Sequence, residues 1–444
     1  MNRSVACLAF FCYSVCTTDS RHRKSRIALS QVGAPEVFSV TIDSRQPRKK
    51  NVRRRTALGT ALRTAGGIVG IAAIGGTARL WQSGAGGDLS AGEAFDPWRV
   101  WQSGKVEGLT GIIGAAILAA SPHNTQPWLF TISDNVIDLY ADTTRSLGAL
   151  DPFGREMMLG LGCAVENLVI GAETLGFAPI LNLFPAGTGS SHIARMTVFA
   201  GDVKKGPAGK NIGKRHTHRG PYIKSRSVQD DVVDRLYAQT ELSNARLVWI
   251  GADGAAGEAF KTGTLDATRA IIEDPELSTG SGVWLRHDLK TVNTMADGIA
   301  TSVAGLSSLE ARLALMVPTS LVREQQHSKW LEMTRDVQLP TAPMFGLITL
   351  PDAGDRAALV EAGRLWQRLH LAGTNEGLAM QPLNQMMEMV DRDKALGRAS
   401  SASTILTELA GYADANAVFG FRLGYAETKA PMSARRSVYQ VLKV

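Results

Sequence analysis

AETLGFAPILN, Ala172–Asn182, can be set beside TNEGLAMQPLN, Thr374–Asn384, after one gap. Each closes a long run with apolar residues at helical spacing, about Arg155–Gly176 and Ala357–Gly377. Outward from the first, Lys105–Ala120 has the same spacing and stops at Ser121-Pro122, where proline ends a helix. Trp128–Ile132 and Val136–Tyr140 flank Asp134-Asn135, a hairpin signal, and Ile180–Phe184 and Ile193–Ala200 read as strands. Around the second, Val228–Thr240 reads as a helix and Ala245–Ile250 as a strand. The order predicts an α+β chain of two fused repeats, 97–210 and 211–444, in which the copies form an intramolecular pseudo-dimer. The second copy carries an excess at about 265–339, helical in pattern, that reads as a lid or arm; Trp284, Arg286 and Trp330 within it read as packing residues.

The chain has 444 residues, a net charge of +7 and 44% apolar residues, enough for a large core. Residues 1–55 hold 12 Lys+Arg and 3 Asp+Glu, which leaves the rest of the chain at a net of −2. The basic character is confined to this tail, so the body is not read as a nucleic-acid binder. Cys7, Cys12 and Cys16 lie in the same tail, and the lone body cysteine, Cys163, reads as a small buried apolar residue in a helix.

From Arg53 the sequence runs RRRTALGTALRTAGGIVGIAAIGGTAR. An arginine cluster before a weakly apolar, glycine-rich stretch is a targeting pattern, too weak and short for a bilayer anchor. The paired arginines followed by x-x-A-L resemble the twin-arginine (Tat) signal for export of folded proteins; the alternative is a basic arm followed by a core helix. The expected organisation is a basic preamble at 1–52, disordered or ahead of the true start, a Tat-type signal at 53–80 and a linker at 81–96. Partners are then the Tat machinery and small molecules, and the location is periplasmic or cell-envelope.

Three stretches carry chemistry. SPHNTQPW, Ser121–Trp128, sets an imidazole, two carboxamides and an indole on a short turn; carboxamides suit the donor and acceptor edge of a flavin or nucleobase, or satisfy the turn's own backbone. RHTHRGPY, Arg215–Tyr222, alternates cation, hydroxyl and cation, so that Arg215, Thr217 and Arg219 form either an anion grip or a solvated basic loop. His216 and His218 lack a third ligand at metal spacing, and no metal is expected. FRLGYAETKAPMSARR, Phe421–Arg436, begins as a strand and ends in a second possible anion clamp or a basic surface.

Together these three stretches resemble the FMN-dependent nitroreductase family, and more closely its duplicated, single-chain (Acg-like) branch, over roughly Lys105–Val444. The resemblance implies a nitroreductase-like fold and a cofactor, FMN. Its R-x-S/T-x-R/K grip on phosphate and pyrimidine edge matches Arg215, Thr217 and Arg219, with His216 between. Its carboxyl-terminal basic pair matches Arg435 and Arg436, and its S-x-x-N-x-Q-P-W turn matches Ser121, Asn124 and Gln126, with His123 inside it. The flavin site is then built across the repeats. No R-x-T-x-R element stands near Trp101–Gly108, so one FMN per chain is expected and a monomer suffices. Where the family has a proline and then a glycine near flavin N5, this chain has Pro382-Leu383-Asn384-Gln385, which puts close approach of a substrate in question. No catalytic acid or base is assigned. The implied function is an oxidoreductase passing electrons from a reduced donor to a nitroaromatic, quinone or similar acceptor; the alternatives are an FMN-sequestering carrier and a module that has lost flavin.

Overall fold

The computed structural model describes residues 86–443, apart from Lys205, Ser243, Pro318, Ala413, Asp414 and the side chains of Leu242 and residues 319–324. The basic stretch 1–52, the Tat-type signal expected at 53–80 and the first part of the expected linker lie outside the described residues.

Helices α1 (Asp96–Gln102) and α2 (Gly108–Ala116) lead into the hairpin β1 (Trp128–Ser133) and β2 (Val136–Ala141), followed by α3 (Arg155–Thr174), β3 (Phe177–Leu183) and β4 (His192–Ala200). The four strands form one antiparallel sheet in the order β1-β2-β4-β3. Further along come α4 (Asp230–Tyr237) and β5 (Arg246–Gly251), then α5 (Ala255–Glu273), α6 (Pro275–Gly282) and short helices at Leu289–Met295, Ser308–Met316 and Thr319–Glu332. After them come β6 (Met344–Leu350), α7 (Arg356–Asn375), β7 (Ala379–Pro382), α8 (Gln385–Ala395), α9 (Ser401–Ala410) and β8 (Asn416–Gly424). The second sheet is also antiparallel, in the order β5-β6-β8-β7. Both sheets therefore follow one plan: two strands, a long helix, two strands, with the last pair exchanged in space.

The long helices α3 and α7 are both 20 residues and cross each other at glycines. A methyl group on Gly162 would overlap the Val360 carbonyl, and one on Gly363 would overlap the Leu159 carbonyl. Only glycine permits so close a backbone approach. Cys163 lies at this crossing, with its Sγ donating to the Gly363 carbonyl at 3.3 Å, and burial pushes its thiol up to about 12. One core runs through both sheets, from Ile112, Trp128 and Leu161 to Ile348, Trp366 and Phe421.

Several expectations shift at their edges. The helix expected over Lys105–Ala120 is confined to Gly108–Ala116. Gly108 has a φ of 61° at its start, and Ser121, ahead of Pro122, is extended. The helical excess occupies the whole interval 252–343 between β5 and β6, where the first sheet has only the Asp134-Asn135 turn. Its helix α5 packs with α8 and α9 on the second sheet, burying Phe260, Phe345, Met386 and Leu406. Among the described residues the outer face of the first sheet has no such cover, and Ile180 and Phe199 stand exposed there. Within the expected linker, Ala94 and Phe95 are buried against Val292, Ala296, Val303 and Ala434.

Candidate functional site

The turn after α2 is tightly wound. His123, Asn124 and Gln126 have φ of 46°, 56° and 54°, the left-handed region that non-glycine residues enter at a cost. Surrounding hydrogen bonds hold them there. Ser121 Oγ accepts from the Gln126 backbone at 3.0 Å. Asn124 Nδ2 donates to the carbonyls of Gly298 (3.0 Å) and Ala434 (2.9 Å), and Gln126 Nε2 donates to the Ala296 carbonyl at 2.8 Å. His123 Nε2 lies 2.9 Å from Ser281 Oγ of α6. Two of these anchoring carbonyls flank Asp297, which is buried and pairs with Arg286 (2.7 Å) and Arg145. Arg286, read as a packing residue, is therefore part of the brace that holds this loop, and its neighbour Trp284 is buried below it.

The carboxyl-terminal arginines meet this turn directly. Arg435 Nη1 donates to Asn124 Oδ1 at 2.5 Å and Nη2 to the Ala119 carbonyl at 3.1 Å. The Arg436 backbone donates to Gln126 Oε1 at 2.9 Å, and its guanidinium to the carbonyls of Gln126 and Trp128. Both carboxamides are thus engaged by protein groups: they knit the turn to the 296–298 loop and to the basic pair.

Arg215 is buried beside them. Its Nη2 donates to the Leu118 carbonyl at 3.0 Å, and Nη1 lies 3.4 Å from His370 Nδ1. Trp98 of α1 stands between the two cations, its ring 4.8 Å from the Arg435 guanidinium and 6.0 Å from that of Arg215, with Nε1 donating to the Ser433 carbonyl at 2.7 Å. His216 meets the same indole edge-on at 4.5 Å. Half-buried Arg219 donates to the Val303 carbonyl at 3.2 Å. Thr217 lies between His216 and His218, half-buried.

No carboxylate forms an ion pair with Arg215, Arg219, Arg435 or Arg436 among the described residues, and each loses basicity. Burial lowers Arg215, Arg219 and Arg436 to about 10. Arg435 falls well below its ordinary value through burial and then through repulsion from Arg215. The imidazoles stay neutral for the same reasons: burial and Arg219 bring His123 to about 4, and burial with Arg215 and Arg435 brings His216 to about 3. Among the described residues the buried Nε atoms of Arg215, Arg435 and Arg436 and Nδ1 of His216 have no hydrogen-bond partner. Buried cationic donors without a counter-charge are costly, and a bound phosphate would supply both the charge and the acceptors.

Pro382, Leu383, Asn384 and Gln385 are tied instead to β8: the Leu383 backbone donates to Gly420 at 2.7 Å, and Asn384 Oδ1 accepts from Gly420 at 3.0 Å. Gln385 begins α8, buried, with Oε1 unpartnered among the described residues. Their connection to the arginine loop runs through the preceding strand, where the Met380 carbonyl accepts from the His218 backbone at 3.2 Å. Sequence reasoning missed Trp98 and His370, because an aromatic or a histidine on an apolar helix face carries no mark of its partner. Ser433, which the sequence places beside the carboxyl-terminal arginines, accepts from Arg435 Nη1 through Oγ at 2.7 Å and from Trp98 through its carbonyl.

No protein-family model matches the chain. It is similar in sequence to a protein named as a nitroreductase along three quarters of its length. One such relative, the "Putative NAD(P)H nitroreductase Rv3131" of Mycobacterium tuberculosis, is 24% identical over 343 residues, covering 75% of this chain and 90% of its own. A second from the same organism, the "Putative NAD(P)H nitroreductase acg", is 31% identical over 87 residues, 20% of this chain and 26% of its own. Among solved structures, a nitroreductase with bound FMN from Desulfitobacterium hafniense aligns with a TM-score of 0.31 and 14% identity, covering 51% of this chain and 93% of that one.

Proposed function

We propose that the chain is an FMN-binding, nitroreductase-like oxidoreductase made of two fused repeats that form an intramolecular pseudo-dimer, with one flavin site built across both. The observation that carries this reading is that Arg215, Arg435 and Arg436, all of the second repeat, are buried with no carboxylate partner and an unpartnered Nε among the described residues, while Asn124 and Gln126 of the first repeat hydrogen-bond Arg435 and Arg436. The shared strand order of the two sheets supports the repeats.

Arg215, Arg435 and Arg436 would hold the FMN phosphate, Arg219 and Thr217 its phosphate or pyrimidine edge, and the turn at Ser121, His123, Asn124 and Gln126 would fix the basic pair. Pro382–Gln385 would lie at the ring's reactive side. When bound, FMN supplies hydride acceptance and electron release to a nitroaromatic, quinone or similar acceptor. The chain's own residues orient the arginine donors and keep His123 and His216 uncharged, so that the site's positive charge is carried by arginine alone.

The test is an FMN titration of the protein, followed by release and quantification of the chromophore. One FMN per chain, with much weaker binding of riboflavin, supports the reading. A protein that stays colourless in excess FMN overturns it.

A second reading, an FMN-sequestering carrier, is favoured by the insertion itself, whose Ser281, Ala296, Gly298 and Val303 all hydrogen-bond residues of the site. Single-turnover reduction by dithionite and reoxidation by an acceptor separate the two, because a closed carrier reduces slowly with every donor. Export by the Tat route to the periplasm or cell envelope is part of the proposal and rests on the arginine-led run from Arg53.

A further inference from the structure

Arg422 of β8 is completely buried and is not among the residues assigned to the cofactor. Its guanidinium fork is fully occupied. Nε donates to Gln381 Oε1 at 2.7 Å, Nη1 to the Gln338 carbonyl at 2.9 Å and to Thr341 Oγ1 at 3.4 Å, and Nη2 to the carbonyls of Gly220 at 2.7 Å and His218 at 3.3 Å. Its plane lies 3.9 Å from the ring of Tyr222, whose hydroxyl donates to the same His218 carbonyl at 3.1 Å.

These acceptors come from three separate parts of the site. His218 and Gly220 flank Arg219, so the peptide that enters that residue and the peptide that leaves Gly220 are both pinned. Gln381 immediately precedes Pro382-Leu383-Asn384-Gln385. Gln338 closes the π-helical turn Met333–Gln338 at the end of the insertion, a wide turn of a kind that recurs at functional sites. Only a planar fork with donors in fixed directions satisfies so many acceptors at once; a lysine ammonium carries the charge with three donors and no plane.

From this we infer that Arg422 is a positioning residue for the cofactor site: through the His218 and Gly220 carbonyls it sets where Arg219 presents its guanidinium, and through Gln381 and Gln338 it ties that loop to the Pro382–Gln385 segment and the insertion. It touches no ligand itself. The inference deepens the flavin reading and rests on it.

The experiment is a double-mutant cycle on FMN affinity with R422K, R219Q and the double variant, each titrated with FMN and with riboflavin, and each checked for fold by far-UV circular dichroism. Loss of an outer support of this kind weakens binding by roughly ten- to a hundredfold. R422K is expected to fall in that range, with the loss largely absent when Arg219 is already Gln, because the support acts through that side chain. A merely structural role would instead give additive losses and would overturn the inference, as would wild-type FMN affinity in folded R422K. If R422K does not fold, Y222F loosens the same His218 carbonyl and leaves Arg422 in place. A weakening of about threefold or more, coupled to Arg219 in the same cycle, supports the inference, and unchanged affinity overturns it. Wild-type protein that binds no FMN would overturn the functional reading and this inference together, whereas wild-type binding with an uncoupled Arg422 would overturn the inference alone.

Discussion

Glu156 and Glu388 form a buried carboxyl pair where α3 meets α8, and replacing Glu156 by Gln should change how stability depends on pH. Both side chains are buried and hydrogen-bonded to each other, with Arg155, Asp151 and Asp391 as the other charged neighbours. Arg155 is bound chiefly to Asp391, at 2.7 Å, and reaches Glu156 only at 3.5 Å. Burial raises Glu156 from 4.5 to about 7, and burial and then Glu156 itself hold Glu388 well above the carboxylate range. The folded protein therefore binds a proton that the unfolded chain releases. Full stability is present below pH 4.5 and is lost as pH rises towards 7, after which the loss is constant. At roughly 1.4 kcal/mol per unit, the shift corresponds to about 3 kcal/mol, of which about 2.5 kcal/mol falls between pH 5 and 8. Glutamine keeps, in Oε1, an acceptor for the Glu388 proton and does not titrate. Urea unfolding of wild type and E156Q across that range should show the variant gaining at least about 2.5 kcal/mol on wild type as pH rises: titrations outside the pair cancel in the difference, and Glu388, relieved of Glu156, moves it the same way. A difference that does not vary with pH, or one that moves the other way, would refute the reasoning.

The helix crossing gives a steric prediction: G162A or G363A should lower the melting temperature sharply, by several degrees at least, since a methyl group there meets backbone. Inorganic phosphate should raise the melting temperature of the FMN-free protein more than chloride at equal ionic strength, by mass action on the arginine site, and R435Q should abolish the difference. W98L removes the aromatic faces beside Arg215 and Arg435 and the bond to Ser433, so FMN affinity should fall by roughly 1–3 kcal/mol, read by fluorescence titration.

The legible part of the fold was its local part. The hairpin at Asp134-Asn135 and the two 20-residue helices announce themselves by spacing and turn chemistry. Strand β6 did not: MFGLITL lies at the centre of a sheet covered on both faces, so almost every residue is buried and the alternation that marks a strand is absent. The edge strand β3, with one face open, alternates plainly. In the site, arginine spacing pointed to Arg215, Arg219, Arg435 and Arg436. What their neighbours do could not be read, because Asn124 is matched to Arg435 across 311 positions, and no local pattern encodes such a pairing.

That span also sets an order of events. The turn at Ser121–Trp128 leaves the ribosome well before the groups that hold its strained backbone, Gly298, Ala434, Arg435 and Arg436, which emerge one after another, Arg436 some 310 positions after Gln126. The phosphate grip is therefore a late product of folding, assembled by its most distant contacts. A nascent chain can complete its first sheet and still be unable to recruit a ligand until synthesis has passed Arg436.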